Sequence, residues 1–166
     1  MARKKIIQKG DPVLTKRSHP ITNFDRKLHT LLDDMRDTLL SVGGAGLAAP
    51  QIGILRRVVL VMNEKDEILE LINPELLETS GEQDGLEGCL SIAGMYGFVT
   101  RPMHAKVRAQ DRNGKQFTVS GSGIVARCFC HELEHLEGQL FDVHADELYT
   151  ESQLDAILAE GKKKGS

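Results

Sequence analysis

The sequence predicts an α+β fold in which short, largely antiparallel β-sheets pack around one central helix. Three observations lead there. Residues 122–137 read as a helix with two apolar stripes: Val125, Phe129, Leu133 and Leu136 form one, and Ile124, Cys128, His131 and His135 form the other. Apolar residues on two faces place a helix inside a domain, not on its surface. Short β-rich runs such as Val58–Met62 supply strands. Finally, Asp111-Arg112-Asn113-Gly114 separates two strand-like stretches, residues 105–110 and 116–119, as the turn of a hairpin.

The remaining elements follow in chain order. Over residues 25–41, Leu28, Leu31, Leu32, Met35 and Leu39 recur at helical spacing with charges between them. Thr22 or Asn23 is the expected cap of this helix, and Gly43–Gly44 ends it. Residues 44–53 form a loop of small residues ahead of the Val58–Met62 run. A second short strand, residues 68–72, is closed by Asn73-Pro74. The central helix starts on a capping Ser122 and stops at Gly138. A last amphipathic helix covers residues 152–159.

Chain length and composition narrow the function classes. The 166 residues suit one catalytic domain, 1–166, with residues 161–166 as a flexible basic tail around Lys162, Lys163 and Lys164. A formal charge of -3 gives no global basic field, which argues against a sequence-specific nucleic-acid binder. The first ten residues contain only Ile6–Ile7 as an apolar run, too little for a signal peptide, and no stretch is long enough to span a bilayer. Three cysteines, Cys89, Cys128 and Cys130, cannot all pair with one another. The expected compartment is the reducing cytoplasm, where cysteines bind metals, catalyse or lie buried.

The strongest chemical signal is His131-Glu132-Leu133-Glu134-His135. Histidines at i and i+4 project from one helix face, one turn apart, where a single ion can take both. The glutamate after the first histidine can then reach a water on that ion. Chance placement of this pattern in a chain of this composition has an expectation of about 2%, so the bland alternative of two partly buried histidines is the weaker one. Two ligands leave an open catalytic sphere one short. Cys128 is a poor third, because it sits about 7–8 Å along the helix axis from the midpoint of the histidines. No histidine lies six residues after His135, where Phe141 stands, and no glutamate lies about twenty residues on. The third ligand therefore comes from another segment, and Cys89 within Glu87-Gly88-Cys89-Leu90-Ser91 is the candidate. The competing reading of Cys89 is a small buried hydrophobe.

Taken together, these motifs resemble the peptide deformylase family. The similarity rests on Gly46-Leu47-Ala48-Ala49-Pro50-Gln51 with Ile52-Gly53, on Glu87 to Ser91, and on His131 to His135 with Leu136 and Gly138. Gly10-Asp11-Pro12-Val13-Leu14 also fits the family's opening. The resemblance implies that Cys89, His131 and His135 bind the metal and that Glu132 is the general base. It further implies that the Gln51 side-chain amide and the Leu90 backbone N–H stabilise the oxyanion, and that Glu87 pairs with Arg101. Gly46 would let the substrate backbone approach, with Gly88 beside it, while Ala45, Ile124, Cys128 and His131 shape the pocket for the methionine side chain. The implied cofactor is one divalent ion, natively Fe2+, with Zn2+ or Ni2+ able to substitute. The implied reaction removes the formyl group from the N-terminal formylmethionine of nascent polypeptides, in a monomer with transient ribosome contact and no membrane.

Three positions depart from the family pattern: Ala45 replaces a larger aliphatic residue, Ala93 a frequent proline, and Cys130 a glutamine. Two other readings of the same residues remain at this point. One is a His-Glu-x-x-His metallopeptidase with another third ligand. The other is a binding module with a closed structural zinc site that uses Cys128 as fourth ligand.

Overall fold

The computed structural model describes residues 2–164, without the side chains of residues 161–164. Helix α1 (Arg26–Val42) opens on Asp25, whose carboxylate accepts from the Leu28 N–H at 3.2 Å. Asp25 is thus the cap, not Thr22 or Asn23, because it directly precedes the first helical residue and its oxygen reaches an otherwise unpaired N–H. Gly43 ends the helix in the left-handed region, as expected. The small-residue loop turns out to hold structure: strand β1 (Gly46–Ala48) and a 3-10 turn (Ala49–Ile52).

Strand β2 (Val58–Met62) pairs with β1 on one side and β3 (Ile68–Ser80) on the other. The strand expected to stop at Asn73-Pro74 runs on to Ser80. Proline has no N–H for the ladder, and the pairing of β3 with β6 (His104–Gln110) skips it through an irregularity between Ile72 and Glu75. Strand β7 (Gln116–Ser122) completes the expected hairpin, whose turn is tied by Asp111 Oδ1 accepting from the Asn113 and Lys115 N–H groups. The resulting antiparallel sheet has the order β1-β2-β3-β6-β7.

More than one sheet was expected, but the strands of the second were not read from the sequence. Strands β4 (Gln83–Cys89) and β5 (Ile92–Arg101) form a hairpin around the two-residue turn Leu90-Ser91, and β8 (Tyr149–Thr150) pairs with β5. Helix α2 (Ile124–Leu136) carries the His-Glu-x-x-His motif. Its cap is Gly123 at φ 60° and ψ -123°, while Ser122 is the last residue of β7. The chain turns from strand into helix within one residue, through a backbone conformation that only glycine adopts without strain.

The five-stranded sheet lies between α1 and α2, which explains the unbroken apolar run of β2. Val58 and Leu60 pack with Leu28, Leu32, Met35 and Leu39 of α1. Val59 and Val61 face the other way, against Val125, Ala126 and Phe129 of α2. The far side of α2 meets the second sheet, where Arg127 bonds the Gln83 and Val99 carbonyls. One expected inward residue does not follow: Ile124 is 77% exposed at the first turn, whereas Cys128 and His135 are buried.

Helix α3 (Glu151–Lys164) extends beyond the expected residues 152–159, so the backbone of the basic tail is helical as far as Lys164. The Lys162, Lys163 and Lys164 side chains and residues 165–166 lie outside the described residues. No described helix is long and apolar enough to cross a membrane.

Phe129 has no exposed surface and sits where α2 meets the sheet. Phe129→Ala is expected to cost about 3–5 kcal/mol of stability, read as a lower urea midpoint at unchanged slope. A loss below about 1 kcal/mol would show that α2 is not held through this ring.

Candidate active site

One turn of α2 separates His131 from His135, and the strand period of two brings Glu87 and Cys89 of β4 to the face that meets them. Cys89 Sγ lies 3.4 Å from His135 Nε2. The cysteine sulfur and one nitrogen from each histidine all fall within 4.8 Å of one another, the one such group of three among the described residues. Ligand atoms on a tetrahedral divalent ion lie about 3.3–3.6 Å apart given bond lengths near 2.0–2.3 Å. The donor set fits such an ion with small adjustments. Cys128 stays outside this group; its thiol points at the Ala45 carbonyl, 3.5 Å away. Burial pushes its pKa well above the usual thiol value, so it is neutral.

Behind the histidines lies a buried charge network. Glu87 accepts from His131 Nδ1 at 2.9 Å, from Arg101 Nε at 2.8 Å and Nη2 at 3.0 Å, and from Arg127 Nη1 at 2.7 Å. Burial alone would raise the Glu87 pKa, but the hydrogen bonds from His131 and Arg101 hold it down at about 2. An ionised Glu87 fixes His131 with Nδ1 as the donor, leaving Nε2 for the Cys89 side. Arg101 also pairs with Glu134, which in turn takes His144. The Glu87–Arg101 pair is thus present, with Arg127 added.

Glu132 is 3% exposed, and its Oε1 has no hydrogen-bond partner. That oxygen lies 4.0 Å from His135 Nε2. Burial raises the Glu132 pKa to about 7 against the opposing pull of His131. His135 is driven the other way, to about 3, by burial and by His131, and is therefore the neutral imidazole that metal binding requires.

These groups face a cavity of about 440 Å³. Ala45, Gly46, Gln51, Gly88, Leu90, Ile124 and Cys128 all line it, as do Cys89, His131 and Glu132, while His135 lies behind. Gln51 is held by its own turn: Oε1 accepts from the Ala48 N–H at 2.9 Å, which turns the amide NH2 toward Ser91 Oγ at 3.1 Å and Cys89 Sγ at 3.6 Å. Gly46 makes room for the protein itself. A Cβ there would fall 2.5 Å from Glu132 Oε2 and 2.7 Å from Cys128 Sγ. Gly88 likewise underlies the Tyr96 ring, and Ile124 stands at the rim.

Three contributors were not anticipated. Arg127 had a signal, since it is the only charge in an otherwise apolar first half of α2. Phe141 stacks on His131 with centroids 5.9 Å apart, and residues 7–9 bond to Gln51 and Ser91; neither has a sequence pattern that would announce it.

A thiol, two imidazoles and a buried carboxylate around one open cavity are the groups that a metal-dependent hydrolase uses. Comparison with known proteins places the chain within that class. The family model described as polypeptide deformylase matches residues 3–151. The chain is 49% identical to peptide deformylase 1 of Bacillus subtilis, over 93% of this chain and 97% of that protein. It is 48% identical to the peptide deformylase of Lachnoclostridium phytofermentans, over 92% and 99%. Among solved structures it is similar to a peptide deformylase from Legionella pneumophila, at 40% identity and a TM-score of 0.84, covering 87% of each chain. The Thermotoga maritima peptide deformylase gives 34% identity and the same TM-score of 0.84, over 89% of this chain and all of that one. The chain belongs to the polypeptide deformylase family. It is a metal-dependent hydrolase that removes the formyl group from newly made polypeptides.

Removing the charge of Glu87 frees the His131 ring and leaves two guanidinium groups facing each other. Glu87→Gln should weaken metal binding or activity about 10–100-fold, measured by competition with a chelator and by turnover at saturating metal. Wild-type values for both would detach Glu87 from the site.

Proposed function

We propose that Cys89, His131 and His135 hold one divalent ion and that Glu132 is the general base in removing formyl from N-terminal formylmethionine. The observation that carries this reading is the buried, unpartnered Oε1 of Glu132, aimed beside three converging donor atoms. A divalent ion bound there lowers the pKa of a water and polarises a carbonyl. Glu132, whose pKa of about 7 lets it gain and lose a proton near neutrality, takes the proton of the attacking water. It then returns that proton to the leaving amine. The Gln51 amide and the Leu90 N–H donate to the carbonyl oxygen as charge develops on it. Ala45, Ile124, Cys128 and His131 surround the first side chain, with Gly46 and Gly88 flanking the substrate backbone.

A Cys/His₂ set suits a borderline-soft divalent ion, and we assign Fe2+ as the native one, replaceable by Zn2+ or Ni2+. The partners are formyl-Met N-termini of nascent chains, met in the cytoplasm through transient ribosome contact, with the protein acting as a monomer. Residues 1–166 are taken as one catalytic domain, a reading supported by ligands contributed from both α2 and the second sheet.

Cys89→Ala is expected to abolish tight metal binding, whereas Cys128→Ala and Cys130→Ala should remain loaded. Glu132→Ala should keep both ion and fold while losing about 10²–10⁴ in rate. Metal analysis and circular dichroism on the same samples check both. A fully loaded Cys89→Ala, or normal turnover in Glu132→Ala, would overturn the corresponding role.

Substrate choice is tested with formyl-Met, acetyl-Met, formyl-norleucine and formyl-Asp peptides beside an internal-bond peptide. Formyl-Met should be processed much faster than acetyl-Met, because acetyl adds a methyl at the crowded reacting carbon. Formyl-norleucine should remain a fair substrate and formyl-Asp a poor one, since an apolar pocket discriminates by only about 1–3 kcal/mol per methylene. Cleavage of the internal bond without formate release would replace this reading with a metallopeptidase.

A further inference from the structure

We propose that residues 6–9 form a strap that positions both oxyanion donors, and that Gln8 is its positioning residue. The proposal rests on the assignment of Gln51 and Leu90 as those donors.

The two donors belong to unrelated elements, a 3-10 turn after β1 and the tip of the β4–β5 hairpin. Within the hairpin the tip is weakly held. Cys89 pairs with Ile92, but the next pair is Gly88 with Tyr96, so residues 93–95 of β5 have no partner in β4. The strap supplies what the ladder omits. Gln8 spans the gap, with Nε2 donating to the Leu90 carbonyl at 2.9 Å and Oε1 accepting from the Ala93 N–H at 3.2 Å. Next to it, the Lys9 N–H donates to the Ser91 carbonyl at 2.7 Å. On the other side, the Ile7 N–H donates to the Gln51 carbonyl at 2.8 Å.

Three consecutive residues thus bond both donor segments, which lie about forty positions apart in sequence. The strap is itself anchored at either end. Ile6 packs against the cluster of α1 and β2, and the Lys9 ammonium pairs with Asp142 of the 3-10 helix that presents Phe141 to His131. The Lys9 pair is solvent-exposed and contributes little. The main-chain bonds and the Gln8 amide are what fix the distance between the two donors. Stabilising an oxyanion depends on donors already in place, and a displacement near 1 Å is enough to lose much of the effect. Gln8 touches no substrate atom; it acts through the Leu90 peptide.

Gln8 is exposed, so truncating it opens no cavity. Gln8→Ala is expected to lower kcat about 3–10-fold, the range for losing one or two neutral hydrogen bonds, with KM changed less than about twofold. Metal content and Tm should stay at wild-type values. Gln8→Glu keeps the acceptor for the Ala93 N–H but sets a carboxylate oxygen against the Leu90 carbonyl, so its kcat should fall at least as far as that of Gln8→Ala. Hydrogen exchange supplies a readout independent of turnover: amides of residues 89–93 should exchange faster in Gln8→Ala while those of α2 do not change. Unchanged kcat with unchanged exchange at the tip would overturn the proposal. So would faster exchange across the whole domain with a lowered Tm, since that marks a purely structural role. A metal-loaded wild type that releases no formate would sink the donor assignment instead, and local exchange at the tip would still decide whether the strap holds it.

Discussion

Glu87 is a carboxylate removed from water and surrounded by His131, Arg101 and Arg127, and the geometry of the site descends from it. Burying an ion costs several kcal/mol unless its partners are well placed, and losing one partner strands the rest. The four groups therefore hold one another in a single arrangement. Because they come from β4, β5 and α2, that arrangement fixes the second sheet against the helix. Cys89 lies two residues beyond Glu87 on the same strand face, so its sulfur is placed by the same contact. The Glu87 carboxylate also decides which nitrogen of His131 is free to ligate.

Sequence pattern revealed much of the scaffold and the parts of the site that follow a helical or turn rule. The His131 and His135 pair was readable because i and i+4 share a helix face, and the Asp111 to Gly114 turn because its residues are suited to nothing else. The β4–β5 hairpin was not readable, for a physical reason. Its inward positions are Gln83, Gly85, Glu87 and Cys89, none of which resembles a core strand. They are polar or small because they receive the Arg127 guanidinium and bring the Cys89 thiol to the histidines, so the site erased the alternation that marks a strand. Residues 6–9 were silent for another reason: their bonds to the site run through two main-chain N–H groups and through one glutamine and one lysine side chain, none of which forms a periodic pattern.

The three departures from the family pattern fall into place by what each residue touches. Ala45 contributes its carbonyl, which accepts from the Met62 N–H at 2.9 Å and from the Cys128 thiol, so its smaller side chain alters only the cavity wall. Cys130 is buried, with its pKa raised mainly by that burial. Ala93 differs more in kind, because its N–H donates to Gln8, and a proline at that position would have none to give.

The parts of this site are scattered widely along the chain: residues 7–9, Gly46, Gln51, residues 87–93, Arg101, residues 127–135 and the Phe141–Asp142 pair. No contiguous fragment beginning after Ile7 or ending before Asp142 contains them all. A copy still being synthesised accordingly lacks one of the three converging donor atoms until His135 has left the ribosome, however well its first hairpins have formed. Closing such long loops also slows folding relative to a protein whose contacts are local. Such a site is assembled late, and a copy can act on other chains only once its own central helix has emerged and closed on the second sheet.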